Sequence, residues 1–377
     1  MAHATDGSSI YERYGVKPLI HASGSTTRYG GTLMEPAVMR AMEEASRYLV
    51  NMDKLNLAAG EIVAGATGAE AGLVSAGSAS SMTLQAAACM TGTDPARINR
   101  LPDSSGMKHE IIIQRGHKVN YDQSYRAAGA TLVEIGNTRG TQAWELEAAI
   151  NENTAAVAYI VAPWLAPSAL SLEQVAEVAH RRGVPVIVDA ASTLPPAENL
   201  RRFIPQGADM VCYSGGKGIR GPQSTGMLCG TSELIQAATL NHSPNNAIGR
   251  GMKVCKEEIV GLITALELYM ERDHDADMAR WRGYAETVVD ALVEVPGLNV
   301  VVEQDDVNRP VPTAVVYFAR EWAGPSGQAV ATTLLEGDPA IHILRGGYSD
   351  ELAINPHNLQ PGEAEIVAER LRRALLA

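Results

Sequence analysis

Apolar residues in this chain recur with two different periods, and the alternation between them predicts the fold. Near the start, Val38, Met42, Ala45 and Leu49 fall three or four apart, the spacing of one buried stripe on a helix opened by Pro36. A second helical stretch over 60–71, with a short strand or the helix end after it, leads to the turn Ser75-Ala76-Gly77-Ser78 and then to an apolar helix over 82–90. Short strand-like runs follow at 110–114, 131–135, 155–161, 184–189, 208–213 and 226–229. Helices fall between several of them. The clearest is 172–182, with a capping box of Ser171 and Gln174 and with Gly183 just past its end.

Strands buried on both faces and alternating with helices imply an α/β fold, a mostly parallel sheet covered by helices. A long helical region at 257–272 ends in the charged connector Asp273-His274-Asp275. A helix over 281–293, strands at 298–302, 313–318 and 341–344, and a last helix from Glu363 then read as a smaller α+β C-terminal domain. The expected division is an N-terminal arm and helix over 1–50, a large domain over 51–256, and a connecting helix with a small domain over 257–377.

Composition narrows the function classes. The 377 residues are 46% hydrophobic and 20% charged, which reads as globular rather than disordered. A net charge of −12 argues against a nucleic-acid surface, which needs clustered positive charge. Cys89, Cys212, Cys229 and Cys255 are scattered without a C-x-x-C pair, as expected for reduced thiols of a cytoplasmic protein. The N-terminus lacks the basic and apolar regions of a signal peptide, and no apolar stretch approaches the roughly 18 residues of a membrane span. The histidines show no metal-ligand spacing, so no metal is expected.

Two residues carry the chemistry. The run Val184-Pro185-Val186-Ile187-Val188 ends on Asp189, and Lys217 lies in Ser214-Gly215-Gly216-Lys217-Gly218 after a later strand. A carboxylate that keeps a pyridine nitrogen protonated, with a lysine that forms a Schiff base with an aldehyde, is the protein half of a pyridoxal phosphate site. The bland readings are an aspartate capping the next helix and a surface lysine in a flexible loop. Gly216-Lys217-Gly218-Ile219-Arg220-Gly221 is also a formal G-x-G-x-x-G. It comes late in the sheet, however, and Gly221-Pro222 breaks the helix that a dinucleotide site would open.

Other candidates surround this pair. Gly77, Ser78, Ala79 and Ser80 stand before a helix, where backbone N–H groups and hydroxyls make an anion cradle; an ordinary serine cap is the alternative. Ser214 is a candidate second phosphate ligand, and Ala191 a candidate cofactor contact. His117, at the end of the strand over 110–114, is a candidate to stack on the pyridine or to meet the substrate, where it or Lys217 would protonate the leaving hydroxyl; an ordinary loop histidine is the alternative. Arg250, Lys253 and Lys256 concentrate positive charge in an acidic chain, either as a solvated helix start or for a substrate anion. Arg345 is a candidate for a substrate carboxylate and Arg28 a weaker one.

Taken together these segments resemble the selenocysteine-synthase-like family of fold-type-I pyridoxal phosphate enzymes. The resemblance runs from Lys17-Pro18-Leu19-Ile20-His21-Ala22-Ser23-Gly24 through 186–192 and the lysine loop with Gly221-Pro222-Gln223. The stretches Gly249-Arg250-Gly251-Met252-Lys253-Val254-Cys255-Lys256-Glu257-Glu258 and Ile354-Asn355-Pro356-His357 look like the branch that contains D-glucosaminate-6-phosphate ammonia-lyase. The resemblance implies Lys217 as the Schiff-base lysine, Asp189 as the pyridinium partner, and the turn over 77–80 as phosphate cradle. It also implies a homodimer or larger assembly with active sites at subunit interfaces. The family opening begins near Tyr11, which leaves no room for a tRNA-binding domain, so seryl-tRNA is not the expected substrate. The expected activity is elimination of water and ammonia from a hydroxylated amino acid or amino-sugar acid, phosphorylated or not, to give a 2-keto acid. Racemase, epimerase or aldolase activity is the alternative, and a non-catalytic protein retaining the fold is the alternative of another class.

Overall fold

The computed structural model describes residues 9–161, 167–306, 309–346 and 350–377. Its contacts divide the chain into a larger unit, Leu33–Arg272, and a smaller one formed by Met1–Thr32 with Asp273–Ala377. The helix Lys256–Glu271 belongs to the larger unit because it packs on the helices Pro36–Ala45 and Met52–Thr67. These limits therefore differ from the sequence division at 50 and 256. An apolar stripe is read as a helix without showing which neighbour covers it.

The described strands are β1 Leu19–Ala22, β2 Ala71–Ser75, β3 Glu110–Gln114, β4 Thr131–Ile135, β5 Thr154–Ile160, β6 Val186–Asp189, β7 Met210–Ser214, β8 Gly226–Gly230, β9 Leu298–Glu303, β10 Thr313–Phe318, β11 Ala340–Arg345 and β12 Glu351–Ile354. The larger unit holds a seven-stranded sheet in the order β2-β8-β7-β6-β5-β3-β4. Strands β3 to β7 run parallel, whereas β8 is antiparallel to both β2 and β7.

Successive residues of a strand point to opposite faces, so one buried run feeds two cores. Ile112, Val157, Val186, Val188 and Val211 enter one apolar cluster. Ile111, Ile113, Ala156, Ala158, Ile187, Met210 and Cys212 enter the other, with Leu84, Ala87 and Ala88 of the helix Gly77–Thr91. This alternation places Ile187 and Asp189 on the face covered by that helix. The five-stranded sheet of the smaller unit, β1-β11-β12-β10-β9, buries Ile20, Val316, Ile341 and Leu352 among its helices.

Three local readings change. The helical stretch expected to reach 71 ends at Thr67, with Gly68 in the left-handed region, and of the two readings for the segment before the turn it is the short strand that forms, the edge strand β2 over 71–75. The helix expected from Met82 begins at Gly77, so the hydroxyl-rich turn is its first turn. The charged connector at 273–275 is the cap and opening of the helix His274–Leu292, where Asp273 accepts from the Ala276 N–H at 2.9 Å. No helix among the described residues is long and apolar enough to cross a membrane.

Candidate active site

Asp189 ends β6 with 8% of its surface exposed. Its Oδ1 accepts from the Ala191 N–H at 2.9 Å and from the Cys212 thiol at 3.7 Å. The register of β6 against β7 pairs Asp189 with Cys212 and so explains the second contact. Burial pushes the Asp189 carboxyl above its usual range, opposed by the Ala191 N–H, the nearby Lys217 charge and the Cys212 thiol. Oδ2 has no hydrogen-bond partner among the described residues. A buried carboxylate with half its acceptors unused fits a cationic N–H donor, which is what a protonated pyridine nitrogen presents.

Lys217 follows β7, and its Nζ donates to Ser192 Oγ at 2.5 Å. Burial lowers its pKa, opposed by the charges of Asp189 and Cys212. The loop around it is pinned at close quarters. The Gly221 N–H reaches Gly215 O at 2.8 Å and the Gly215 N–H reaches Thr225 O at 2.9 Å. A Cβ added to Gly218 would stand 2.5 Å from Leu194 O, and one on Gly216 would stand 2.4 Å from the Gln223 Cα, so neither position has room for a side chain. Arg220 closes a turn on the lysine, its N–H meeting Lys217 O at 3.0 Å. Its φ of 62° is the only positive value on a non-glycine residue among the described residues. That backbone costs an L-residue about 1–2 kcal/mol.

The anion cradle is the N-terminus of the helix Gly77–Thr91, whose cap residue Ala76 makes no side-chain cap bond. First-turn N–H groups have no partner within a helix, and its dipole favours negative charge there. Ser80 Oγ donates back to Gly77 O at 3.1 Å, and Ser75 and Ser81 share a bond of 2.6 Å. Ser80 therefore offers a backbone N–H more readily than its hydroxyl, while Ser78 makes no side-chain bond within the described chain. The register puts Gly226 of β8 between Ser75 of β2 and Ser214 of β7. A Cβ on Gly226 would lie 2.5 Å from the Gly77 carbonyl carbon and 2.7 Å from Ser78 N. Only glycine lets β8 run so close behind the cradle.

His117 follows β3, 2% exposed, its ring edge-on to Tyr159 at 4.6 Å. Nδ1 has no partner, and burial lowers the pKa to about 4. The ring is thus neutral at physiological pH. Asp189, Lys217, His117, Ser214 and the cradle all belong to the larger unit and, apart from the cradle on β2, follow parallel strands at their C-terminal ends, where open α/β sheets bind ligands.

The cationic segment divides. Arg250 and Lys253 are exposed. Lys256 instead donates to Ala45 O at 2.7 Å and pairs with Glu257, with 15% of its side chain exposed. Its ammonium ties two helices together, which removes it from the substrate candidates. Glu258 fixes the same segment to the lysine loop, accepting from the Cys255 N–H at 3.1 Å and from Ser224 Oγ at 2.5 Å. Arg28 and Arg345 are exposed residues of the smaller unit. Ser192 and Cys212 were not singled out as site residues from the sequence. Ser192 follows Asp189 by three residues, and Cys212 shows the alternation of a buried strand; neither pattern names a chemical partner.

Solved structures share this architecture. D-glucosaminate-6-phosphate ammonia-lyase aligns over 98% of both chains with a TM-score of 0.85 at 33% identity. Serine palmitoyltransferase from S. paucimobilis aligns over 94% of this chain and 87% of its own with a TM-score of 0.60 at 13% identity. The fold is that of the fold-type-I pyridoxal phosphate enzymes. Residues 25–280 match the family model described as SelA: L-seryl-tRNA selenium transferase, and the chain belongs to that family. A curated relative, D-glucosaminate-6-phosphate ammonia lyase of Salmonella typhimurium (strain 14028s / SGSC 2262), is 33% identical over 97% of both chains. Another, 5'-C-glycyluridine monooxygenase-decarboxylase of a Streptomyces species, is also 33% identical, over 97% of this chain and 92% of its own.

Proposed function

We propose that this chain is a pyridoxal phosphate-dependent lyase that removes water and ammonia from a hydroxylated amino acid or amino-sugar acid and leaves a 2-keto acid. The observation that carries the reading is the pairing of the under-bonded, buried Asp189 carboxylate with Lys217 on neighbouring strand ends. Asp189 would hold the ring nitrogen, Lys217 the aldehyde carbon, and the N–H groups of Gly77, Ser78, Ala79 and Ser80 with Ser214 the phosphate. Bound there, the cofactor supplies an electron-poor ring that stores the electron pair left when the α-carbon loses its proton.

The chain's own groups then move protons. Lys217 Nζ, its pKa lowered by burial, takes the α-proton. The β-carbon–oxygen bond breaks as that proton is handed to the departing hydroxyl, so water leaves. Uptake of one water returns the oxygen and releases ammonia, so amino acid equals keto acid plus ammonia. His117 keeps a neutral ring and serves as a wall rather than an acid. Ser192 holds the lysine amine in place. Arg250 and Lys253 are the substrate-anion candidates of the larger unit.

The equal identity of the relative named as a monooxygenase-decarboxylase favours a second reading, loss of carbon dioxide with oxygen uptake. One experiment separates the two. Cofactor-loaded protein is given D- and L-hydroxy amino acids and amino-sugar acids, with and without phosphate. Ammonia and keto acid in equal amounts without oxygen uptake support elimination. Carbon dioxide with oxygen consumption supports the second reading, and inversion alone points to a racemase.

We extend the proposal to a homodimer or larger assembly in the cytoplasm. Tyr48, Leu49, Val50 and Leu57 are 62%, 95%, 50% and 67% exposed, an apolar group of the kind that marks an interface. The four cysteines carry thiols rather than disulfides. Light scattering at micromolar concentration tests the assembly; a mass of one chain would remove it.

A further inference from the structure

We infer that Arg220 is a specificity-determining residue that binds the anionic group of the substrate, a carboxylate or a phosphate, beside Lys217. The inference deepens the proposed function and rests on it for the class of substrate. Glycine adopts a φ of 62° without strain, and the same loop already carries glycine at 215, 216, 218 and 221. A chain that needed only the turn would be served better by a fifth glycine. The strain cannot relax, because the bonds from Gly221 to Gly215 and from Gly215 to Thr225 fix the backbone on both sides. Strain that a loop retains in this way marks a side chain with work to do.

Position says what the work is. The bond from the Arg220 N–H to Lys217 O, at 3.0 Å, makes the two residues the ends of one tight turn. Their Cα atoms in such a turn lie within about 7 Å, so a guanidinium can reach an anion held by the molecule whose amine meets Lys217. Ile219 beside it is fully buried, Arg220 is partly buried and its Nε is shielded from solvent, and partial exclusion of water strengthens a guanidinium's bonds to an oxyanion. A planar fork also fixes the substrate's orientation, which a lysine at the same place would not.

The test uses Arg220→Gly, which suits the backbone and removes only the side chain, with Arg220→Lys as a second variant. Gluconate and gluconate 6-phosphate, which lack the reacting amine, are titrated by calorimetry into the cofactor-loaded proteins. Arg220→Gly is expected to melt at the same or a higher temperature, to bind pyridoxal phosphate as wild type does, and to bind the acids about 10- to 100-fold more weakly. Arg220→Lys should fall between. A loss confined to gluconate 6-phosphate assigns the guanidinium to the phosphate, and equal losses assign it to the carboxylate. Wild-type affinity for both acids in Arg220→Gly would overturn the inference, as would a loss of cofactor affinity instead. If wild type binds the acids through Arg220 yet eliminates nothing, the lyase reading fails and this one stands.

Discussion

The Cys212 thiol donates to Asp189 Oδ1 across the β6–β7 pair, with 3.7 Å between sulfur and oxygen. A thiol is a weak donor, so this bond orients the carboxylate without neutralising it. Asp189→Asn should therefore retain some cofactor and lose roughly a hundredfold or more of turnover, a few kcal/mol of transition-state stabilisation. Cys212→Ala should cost less than tenfold. Steady-state rates on cofactor-saturated proteins check both, and near-normal turnover in Asp189→Asn would count against the assigned role.

Gly226→Ala tests the cradle. Its added carbon would lie 2.5 Å from the Gly77 carbonyl carbon and 2.7 Å from Ser78 N, backbone atoms that no side-chain rotation moves aside. Overpacking of this kind destabilises by about 1–3 kcal/mol, and the displaced N–H groups should weaken pyridoxal phosphate binding. Gly251→Ala is the control, since nothing lies within 4 Å of its added carbon. Cofactor titration followed by absorbance should separate the two variants.

The three cations near 250 should respond differently to the same change. Lys256→Gln removes the bond to Ala45 O and the pair with Glu257, and should lower stability by about 1 kcal/mol with little effect on KM. Arg250→Gln and Lys253→Gln should leave melting unchanged and raise KM for an anionic substrate. Unchanged KM in both would make them a solvated surface.

Acid should destabilise the cofactor-free protein through buried histidines. Burial lowers His21, His117 and His242 from 6.5 to about 4, so between those values the unfolded chain binds more protons than the folded one. Stability is then complete above about pH 6.5 and falls as pH drops toward 4, each histidine contributing up to about 1.4 kcal/mol per pH unit. His242→Asn should flatten the dependence of urea midpoints on pH between 4.5 and 6.5. An unchanged slope would mean that this ring titrates normally.

Much of this was legible in the residues. The runs at 110–114 and 131–135 form strands at those limits: Ile111, Ile112 and Ile113 are a continuous buried run, as in a strand covered on both faces, and Leu132 and Val133 mark the edge strand beside it. Lys217 and Asp189 stood out because a glycine loop and a strand-terminal acid are both local patterns. The missed or undecided features depend on distant partners. β2 is ambiguous between strand and helix end in the sequence, because Ala71-Gly72-Leu73 lacks the β-branched residues of a strand and gains its place by pairing with β8. Lys256 looked like its cationic neighbours until Ala45, from a helix more than two hundred residues earlier, supplied its acceptor. Ser192 meets Lys217 from 25 positions earlier in the chain.

The position of β8 also sets the order of assembly. The cradle ends β2 and the lysine follows β7, yet the two strands do not touch, since β8 is inserted between them. A nascent chain that has emerged only as far as Lys217 holds both parts of the cofactor site without the strand that brings them side by side. Long-range pairings of this kind form slowly, because the closure of a long loop precedes any gain from contact. Capture of pyridoxal phosphate is consequently expected late in the life of the chain, and the appearance of the bound chromophore during refolding should report completion of the sheet.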